Sequence, residues 1–320
     1  MILVTGATGF LGSELVRQLL LQGKPVRALK RQTSVIPEFL SDQKDIDWRV
    51  ADVLDHFALA EAMEGVTEVY HCAAVVSFRK ADKKKMLKVN IEGTANLVNI
   101  CLENNIRKLL HTSSISAVGQ NKNGDPSSEA DHWQFNKKQS NYAISKYESE
   151  MEVFRGIAEG LNAVIVNPSI IIGKNAGKEG SRQLFETVQN GLKFYPGGSC
   201  GLVDVEDVAL TMIRLMDSDI NKERFIINSE NISYRDLFTR IAKAYGLAAP
   251  GFRVYPWMLK TGYLASAILK SITGKDYGIT TEIINSAFKI QRYSNDKIIK
   301  ALNIRFKPVS QSIAEIAATA

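Results

Sequence analysis

Three glycines at three-residue intervals, in Thr5-Gly6-Ala7-Thr8-Gly9-Phe10-Leu11-Gly12, sit between the short apolar run Ile2 to Thr5 and the helical pattern Leu11 to Leu21. A strand that turns through glycines into a helix tolerates few alternatives. Gly6 permits the tight turn, Gly9 lets backbone approach a ligand, and Gly12 lets helix pack on strand, each by removing a Cβ from a crowded place. The N–H groups and positive dipole end at the start of that helix suit a phosphate. The spacing differs from the two-and-three spacing of the commonest dinucleotide fingerprint. Its position after an amino-terminal strand nevertheless makes a dinucleotide the expected ligand, held by Gly6, Thr8, Gly9, Phe10, Leu11 and Gly12.

Short β-branched runs alternate with helical patterns through the first half, the signature of βαβ units and a parallel sheet covered on both faces. Strands are predicted at 26–30, 48–51, 66–71, 108–112 and 163–166, with a short helix capped by Asp55 and longer ones at about 83–104 and 142–159. After Pro168 the chain becomes rich in glycine breaks, a late strand near 225–228 is expected to return to the sheet, and the remainder reads as mostly helical. The predicted fold is therefore α/β: a Rossmann-type doubly wound parallel sheet over residues 1–166, followed by a smaller, mostly helical substrate-binding region over 167–320.

Composition narrows the class. The 320 residues are 45% apolar, enough for a substantial core. The net charge of +6 is spread along the chain without a recognised binding motif, so no nucleic-acid partner is expected. The dense run Lys80, Lys83, Lys84, Lys85 and Lys88 reads as a solvated helix face. Cys72, Cys101 and Cys200 form no paired spacing, which argues against disulfides or zinc and for a reducing compartment. No charged leader precedes Ile2 and no run of about 18 uncharged apolar residues occurs, so a cytoplasmic protein without a membrane partner is expected. The apolar segment Val254 to Ile272, broken by Lys260 and Lys270, reads as a core or lid helix.

Lys30 and Arg31 stand at the end of the second predicted strand, where an acidic residue would bind the ribose hydroxyl of NAD and a basic one the 2′-phosphate of NADP. NADP(H) is thus expected ahead of NAD(H). Asp52, after the third strand, is a candidate for the adenine amino group. Tyr142 and Lys146 lie four apart on a predicted helix and share a face. An ammonium near 4 Å at an effective dielectric of ~20 supplies about 4 kcal/mol, enough to bring a phenol from about pH 10 toward neutrality. Lys146 is therefore expected to tune Tyr142 as a proton donor and to hold the nicotinamide ribose. Ser114, just past a strand end, is placed to polarise a substrate oxygen. His71 and His111 lack triad spacing and read as packing residues.

With Thr5 to Gly12, Asp52-Val53, His71-Cys72-Ala73-Ala74, Val89 to Thr94, Thr112-Ser113-Ser114, Tyr142 with Lys146, and Asn167-Pro168-Ser169 in order, the chain resembles the extended short-chain dehydrogenase/reductase superfamily. It looks most like the dihydroflavonol-reductase-like branch, which includes cinnamoyl-CoA reductases and hydroxysteroid dehydrogenases. The resemblance implies that Val53, Ala73 and Ala74 line the cofactor, that Pro168 and Ile171 border the nicotinamide, that Tyr142 and Lys146 also touch the cofactor, and that Ser114 rather than Ser113 is the catalytic serine. It implies that Asn90 sits beneath the site to support Lys146 or a water, that Asp207 is a structural acid at a helix start, and that a homodimer through the two long helices is one assembly open to the chain.

The branch decides the reaction. Dehydratases of the superfamily place an acidic pair after the catalytic hydroxyl, where this chain has Ile115 and Ser116. Sugar-nucleotide epimerases show an arginine and a tyrosine around the sixth strand, absent from Val164 to Ile170. The expected reaction is NADPH-dependent reduction of a small aldehyde or ketone, with Tyr142 giving the proton, Ser114 steadying the oxyanion and no metal involved; a nucleotide-sugar epimerase using bound NAD is the alternative.

Overall fold

The runs Ile2–Thr5 and Ala163–Pro168 are buried at every position, and strands of that kind are stable only when both faces of their sheet are covered. The computed structural model describes residues 1–136, 139–176, 181–258 and 286–319. In it β1 (Ile2–Thr5), β2 (Val26–Lys30), β3 (Ile46–Val50), β4 (Glu68–His71), β5 (Lys108–Thr112) and β6 (Ala163–Pro168) run parallel in one sheet. Four further strands follow: β7 (Ile170–Ile172), β8 (Phe194–Pro196), β9 (Ser199–Asp204) and β10 (Glu223–Ile227). β10 joins the large sheet beside β6, also parallel, giving the order β10-β6-β5-β4-β1-β2-β3.

Alternate side chains on each strand feed opposite layers. Ile2, Val4, Val164 and Val166 point to the helices Phe10–Leu21 and Val205–Asp217, whereas Leu3, Ala163 and Ile165 point to the helices Gly93–Glu103 and Asn141–Ala158. From β1 the chain first winds outward to β3, then crosses back to β4 and winds the other way. The crevice at that reversal, between the carboxyl ends of β1 and β4, is where open α/β sheets bind ligands. Thr5 Oγ1 bonds His71 Nδ1 at 2.7 Å and accepts from Ala73 N at 3.2 Å, stitching the two loops together there.

Several boundaries differ from the sequence expectation. β3 starts two residues early, at Ile46, and β4 starts at Glu68. The helix expected over 83–104 is interrupted: α-helix Lys83–Leu87 widens into a π turn, Lys88–Glu92, before Gly93–Glu103. The widened turn carries Asn90, and Gly93 follows because a Cβ there would stand 2.6 Å from Val53 Cγ2. Among the described residues after β6, helices are accompanied by short strands that the sequence did not announce. β11 (Glu230–Ser233) joins β9 and β7 in a three-stranded sheet, and β12 (Phe252–Val254) pairs with β8. These strands are three to six residues long, too short for alternation to be read. The apolar segment expected as a core or lid helix lies, from residue 259 onward, outside the described residues.

Candidate active site

The glycine loop owes its shape to missing atoms. Gly6 has φ +67°, and a Cβ on it would lie 2.7 Å from Ala73 N; a Cβ on Gly12 would lie 2.1 Å from Gly6 O. Gly9 caps the helix Phe10–Leu21 without a side-chain hydrogen bond, and the first turn contains no acidic residue, which leaves the N–H groups to an anionic partner. Thr8 and Phe10 are half-buried, whereas Leu11 is packed into the core and can offer only its backbone. The loop thus fits a dinucleotide pyrophosphate by the chemistry and the space it presents.

At the end of β2, Lys30 is half-buried and Arg31 exposed, and neither side chain makes a hydrogen bond or ion pair with the described residues. Two uncommitted cations suit a phosphate. Asp52 Oδ1 accepts from Leu54 N at 3.0 Å, and Val53 is packed against Gly93, so both have local structural partners. Ala73 and Ala74 are half-buried directly after β4. Pro168 ends β6, and Ile171 lies in β7 against the core.

Ser140 caps the helix Asn141–Ala158 by accepting from Ala143 N, which sets Tyr142, Lys146 and Glu150 on successive turns of one face. That face meets the end of β5. The Tyr142 phenol stands near the Ser114 hydroxyl, which acts to lower its pKa. Lys146, only 4% exposed, donates from Nζ to Thr112 O at 2.8 Å. Ser114 Oγ donates to Ser116 Oγ at 3.1 Å and accepts from Ser116 N at 3.2 Å. The Phe78 ring stands edge-on to Tyr142, with centroids 5.8 Å apart.

The electrostatics correct one expectation. Lys146 does not bring the phenol down: burial pushes the Tyr142 hydroxyl above its ordinary value, and the nearby Ser114 hydroxyl offsets only part of that. The reason is geometric, since the ammonium is turned to the Thr112 carbonyl. Burial lowers Lys146 itself to about 8, with Cys72 and Glu150 acting in the opposite sense. Among the described residues Asn90 bonds Val75 and Ser145 rather than Lys146. Its Oδ1 accepts from Val75 N at 2.7 Å, and its Nδ2 donates to Val75 O and to Ser145 Oγ, a brace between the loop after β4 and the helix Asn141–Ala158. His71 and His111 are buried with centroids 5.2 Å apart, and burial depresses both, His71 to about 3. The helix-start acid at Val205–Asp217 is Asp204, which accepts from Glu206 N, while Asp207 accepts from Lys307 N at 2.6 Å.

Sequence reasoning missed Phe78 and the buried Glu150. Glu150 carried a readable signal, four residues beyond Lys146 on the same face; Phe78, in an irregular loop, carried none.

A family model described as "NAD dependent epimerase/dehydratase family" matches residues 2–228. The chain belongs to that family. Among its relatives, a protein named "Putative dihydroflavonol 4-reductase" from Synechocystis sp. is 30% identical over 98% of this chain and 92% of its own length. "Cinnamoyl-CoA reductase 1" from Petunia hybrida is 28% identical over 98% of this chain and 89% of its own. The crystal structure of gox2253 superposes with TM-score 0.84 at 30% identity, covering 99% of this chain and 97% of that one. A UDP-glucose 4-epimerase from Thermus thermophilus, complexed with NAD, shares the fold at TM-score 0.76 and 20% identity, covering 99% and 97%. This epimerase/dehydratase family member is thus an NAD(P)-dependent oxidoreductase of the extended short-chain dehydrogenase/reductase superfamily, related to named reductases over nearly its whole length. Among the described residues no helix is long and apolar enough to cross a membrane, and no group of His, Cys, Asp or Glu is assembled to hold a metal ion.

Proposed function

We propose that this protein is an NADPH-dependent reductase of an aldehyde or ketone. The observation that carries the reading is the Tyr142 phenol beside the Ser114 hydroxyl, one helical turn from buried Lys146, at the same sheet edge as the glycine loop. Gly6, Gly9 and Gly12 leave room for the pyrophosphate, Lys30 and Arg31 face the 2′-phosphate, and Ala73, Ala74, Pro168 and Ile171 flank the crevice. A nicotinamide cofactor, when bound, supplies the hydride.

The chain's own residues manage the oxygen. The Ser114 hydroxyl turns from Ser116 to donate to the substrate carbonyl, steadying negative charge as it develops. Because burial raises the Tyr142 phenol, it stays protonated at ordinary pH and is in the correct state to give its proton to that oxygen. Lys146 spends one N–H on Thr112 O and keeps two for ribose hydroxyls. Water then returns the proton to Tyr142.

Reduction is preferred over epimerisation because the relatives named as reductases cover 98% of the chain, whereas the sugar-nucleotide epimerase likeness at 20% identity rests on the fold. The test is to screen purified protein with NADPH against aldehydes, ketones and nucleotide sugars. Carbonyl-dependent NADPH oxidation is expected; interconversion of a nucleotide sugar without net cofactor consumption would overturn the proposal. On a substrate so found, Tyr142→Phe should lower turnover by about 10² to 10⁴ while NADPH affinity changes little. Near-normal turnover in that variant would remove Tyr142 as the acid.

A further inference from the structure

The helix that carries Tyr142 and Lys146 places a third ionisable group on the same face. Glu150 is completely buried, with 0% exposure, where an unpaired carboxylate would be very costly. It is not unpaired. Glu150 Oε1 accepts from Asn167 Nδ2 at 2.5 Å, and Glu150 Oε2 accepts from Arg224 Nη1 at 3.3 Å. The same Asn167 Nδ2 donates to the main-chain carbonyl of Ser114 at 2.9 Å. Both hydrogens of that amide nitrogen are thereby committed, which fixes the orientation of the Asn167 side chain. Arg224 is fixed in turn, because its Nη2 donates to Glu129 O at 2.7 Å. On the far side of the serine turn, Trp133 Nε1 donates to Ser116 O at 3.2 Å.

We infer that Glu150 and Asn167 form a positioning pair for Ser114, with Arg224 as the counter-charge that makes the buried carboxylate tolerable. The inference rests on the reductase reading above. The carboxylate aims the Asn167 amide, the amide holds the Ser114 carbonyl, and the held backbone aims the Ser114 hydroxyl toward Tyr142. One helix therefore grips the end of β5 at two points, Lys146 on Thr112 O and Glu150 through Asn167 on Ser114 O, with the Tyr142 phenol beside the serine. Neither Glu150 nor Asn167 need touch substrate. Their effect passes through the serine.

A double-mutant cycle with Ser114→Ala tests this on any carbonyl substrate the enzyme reduces. Asn167→Leu, similar in size but lacking the amide, is expected to lower kcat about tenfold, the worth of one hydrogen bond, with KM and NADPH affinity within about twofold. Glu150→Ala should behave alike, and Glu150→Gln, which keeps an acceptor for Asn167, should recover most of the loss. In the Ser114→Ala background neither Asn167→Leu nor Glu150→Ala should cost anything further. Equal losses in both backgrounds, or NADPH affinity falling in step with kcat, would show a general structural role and overturn the inference while leaving the reductase reading intact. If Ser114→Ala alone retained full turnover, the serine assignment would fail and the pair would have nothing to position. Should Asn167→Leu not accumulate as folded protein, the Glu150→Ala and Glu150→Gln comparison completes the cycle alone.

Discussion

The glycine loop and the Tyr142 helix meet at one edge of the sheet, yet they are built on opposite principles. The loop works through absent atoms: Gly6 and Gly12 sit where any Cβ would strike backbone within 2.1 to 2.7 Å. The helix works through present ones, since Lys146 and Glu150 on its inner face have named partners at the ends of β5 and β6. A steric site tolerates no enlargement, and a hydrogen-bonded site tolerates no deletion. Substitutions should therefore fail differently in the two places.

The largest effect expected in the loop is that of Gly12→Ala. The new methyl meets the Gly6 carbonyl oxygen, which belongs to backbone and cannot simply rotate away. Overpacking of this kind costs about 1–3 kcal/mol or more, so NADPH affinity, read by fluorescence titration, should fall by at least tenfold. Gly23→Ala is the informative control. Gly23 also has positive φ, but a Cβ there meets nothing within 4 Å, so the variant should lose about 1 kcal/mol of stability and bind cofactor normally. If the two variants behaved alike, backbone conformation rather than crowding would define the loop.

Lys146→Ala should cut both turnover and NADPH affinity, because the ammonium holds Thr112 O and in the proposed reading also binds the ribose; loss of turnover alone would confine it to the acid. Arg31→Asp should have a smaller and more selective effect. A charge-assisted contact to phosphate is worth roughly 1.5–3 kcal/mol, so a preference for NADPH over NADH of about tenfold or more should narrow or reverse. Equal binding of both cofactors by the unmodified protein would remove the phosphate role of Lys30 and Arg31.

The smallest expected effect is a pH limb. Burial lowers Lys146 from 10.5 to about 8, so kcat/KM of the free enzyme should decline as pH rises through about 8 and the charge is lost. The stability contribution of the same group has the opposite sign. Between about 8 and 10.5 the unfolded lysine still holds a proton that the folded one has released, so this group makes folding more favourable as pH rises through that window. A profile with no basic limb would show that the charge of Lys146 is not used.

Much of this was legible in residue order. Glycine spacing, the four-residue interval from Tyr142 to Lys146 and alternating apolar runs are local patterns, and they located the loop, the helix and the parallel sheet. What escaped was non-local. The direction of the Lys146 ammonium depends on the Thr112 carbonyl, 34 residues away, so its failure to lower the phenol could not be read from spacing. The bond from Asn90 to Val75 and the pairing of Glu150 with Arg224, 74 residues apart, likewise exist only once strands are side by side. After β6 the short strands of the two small sheets left no periodic trace.

The position of β10 beside β6 bears on how the chain is made. Five consecutive residues of β6 pair with Glu223–Ile227, so the outer edge of a fully buried strand stays open until more than fifty further residues have been synthesised. An open apolar edge is a template for pairing with other chains. The growing polypeptide therefore passes through an interval in which this strand is complete and its edge unprotected, and Arg224, the partner that neutralises Glu150, arrives with the same strand that closes the edge. Closure of the sheet and completion of the charge network behind the serine are thus a single late event in folding.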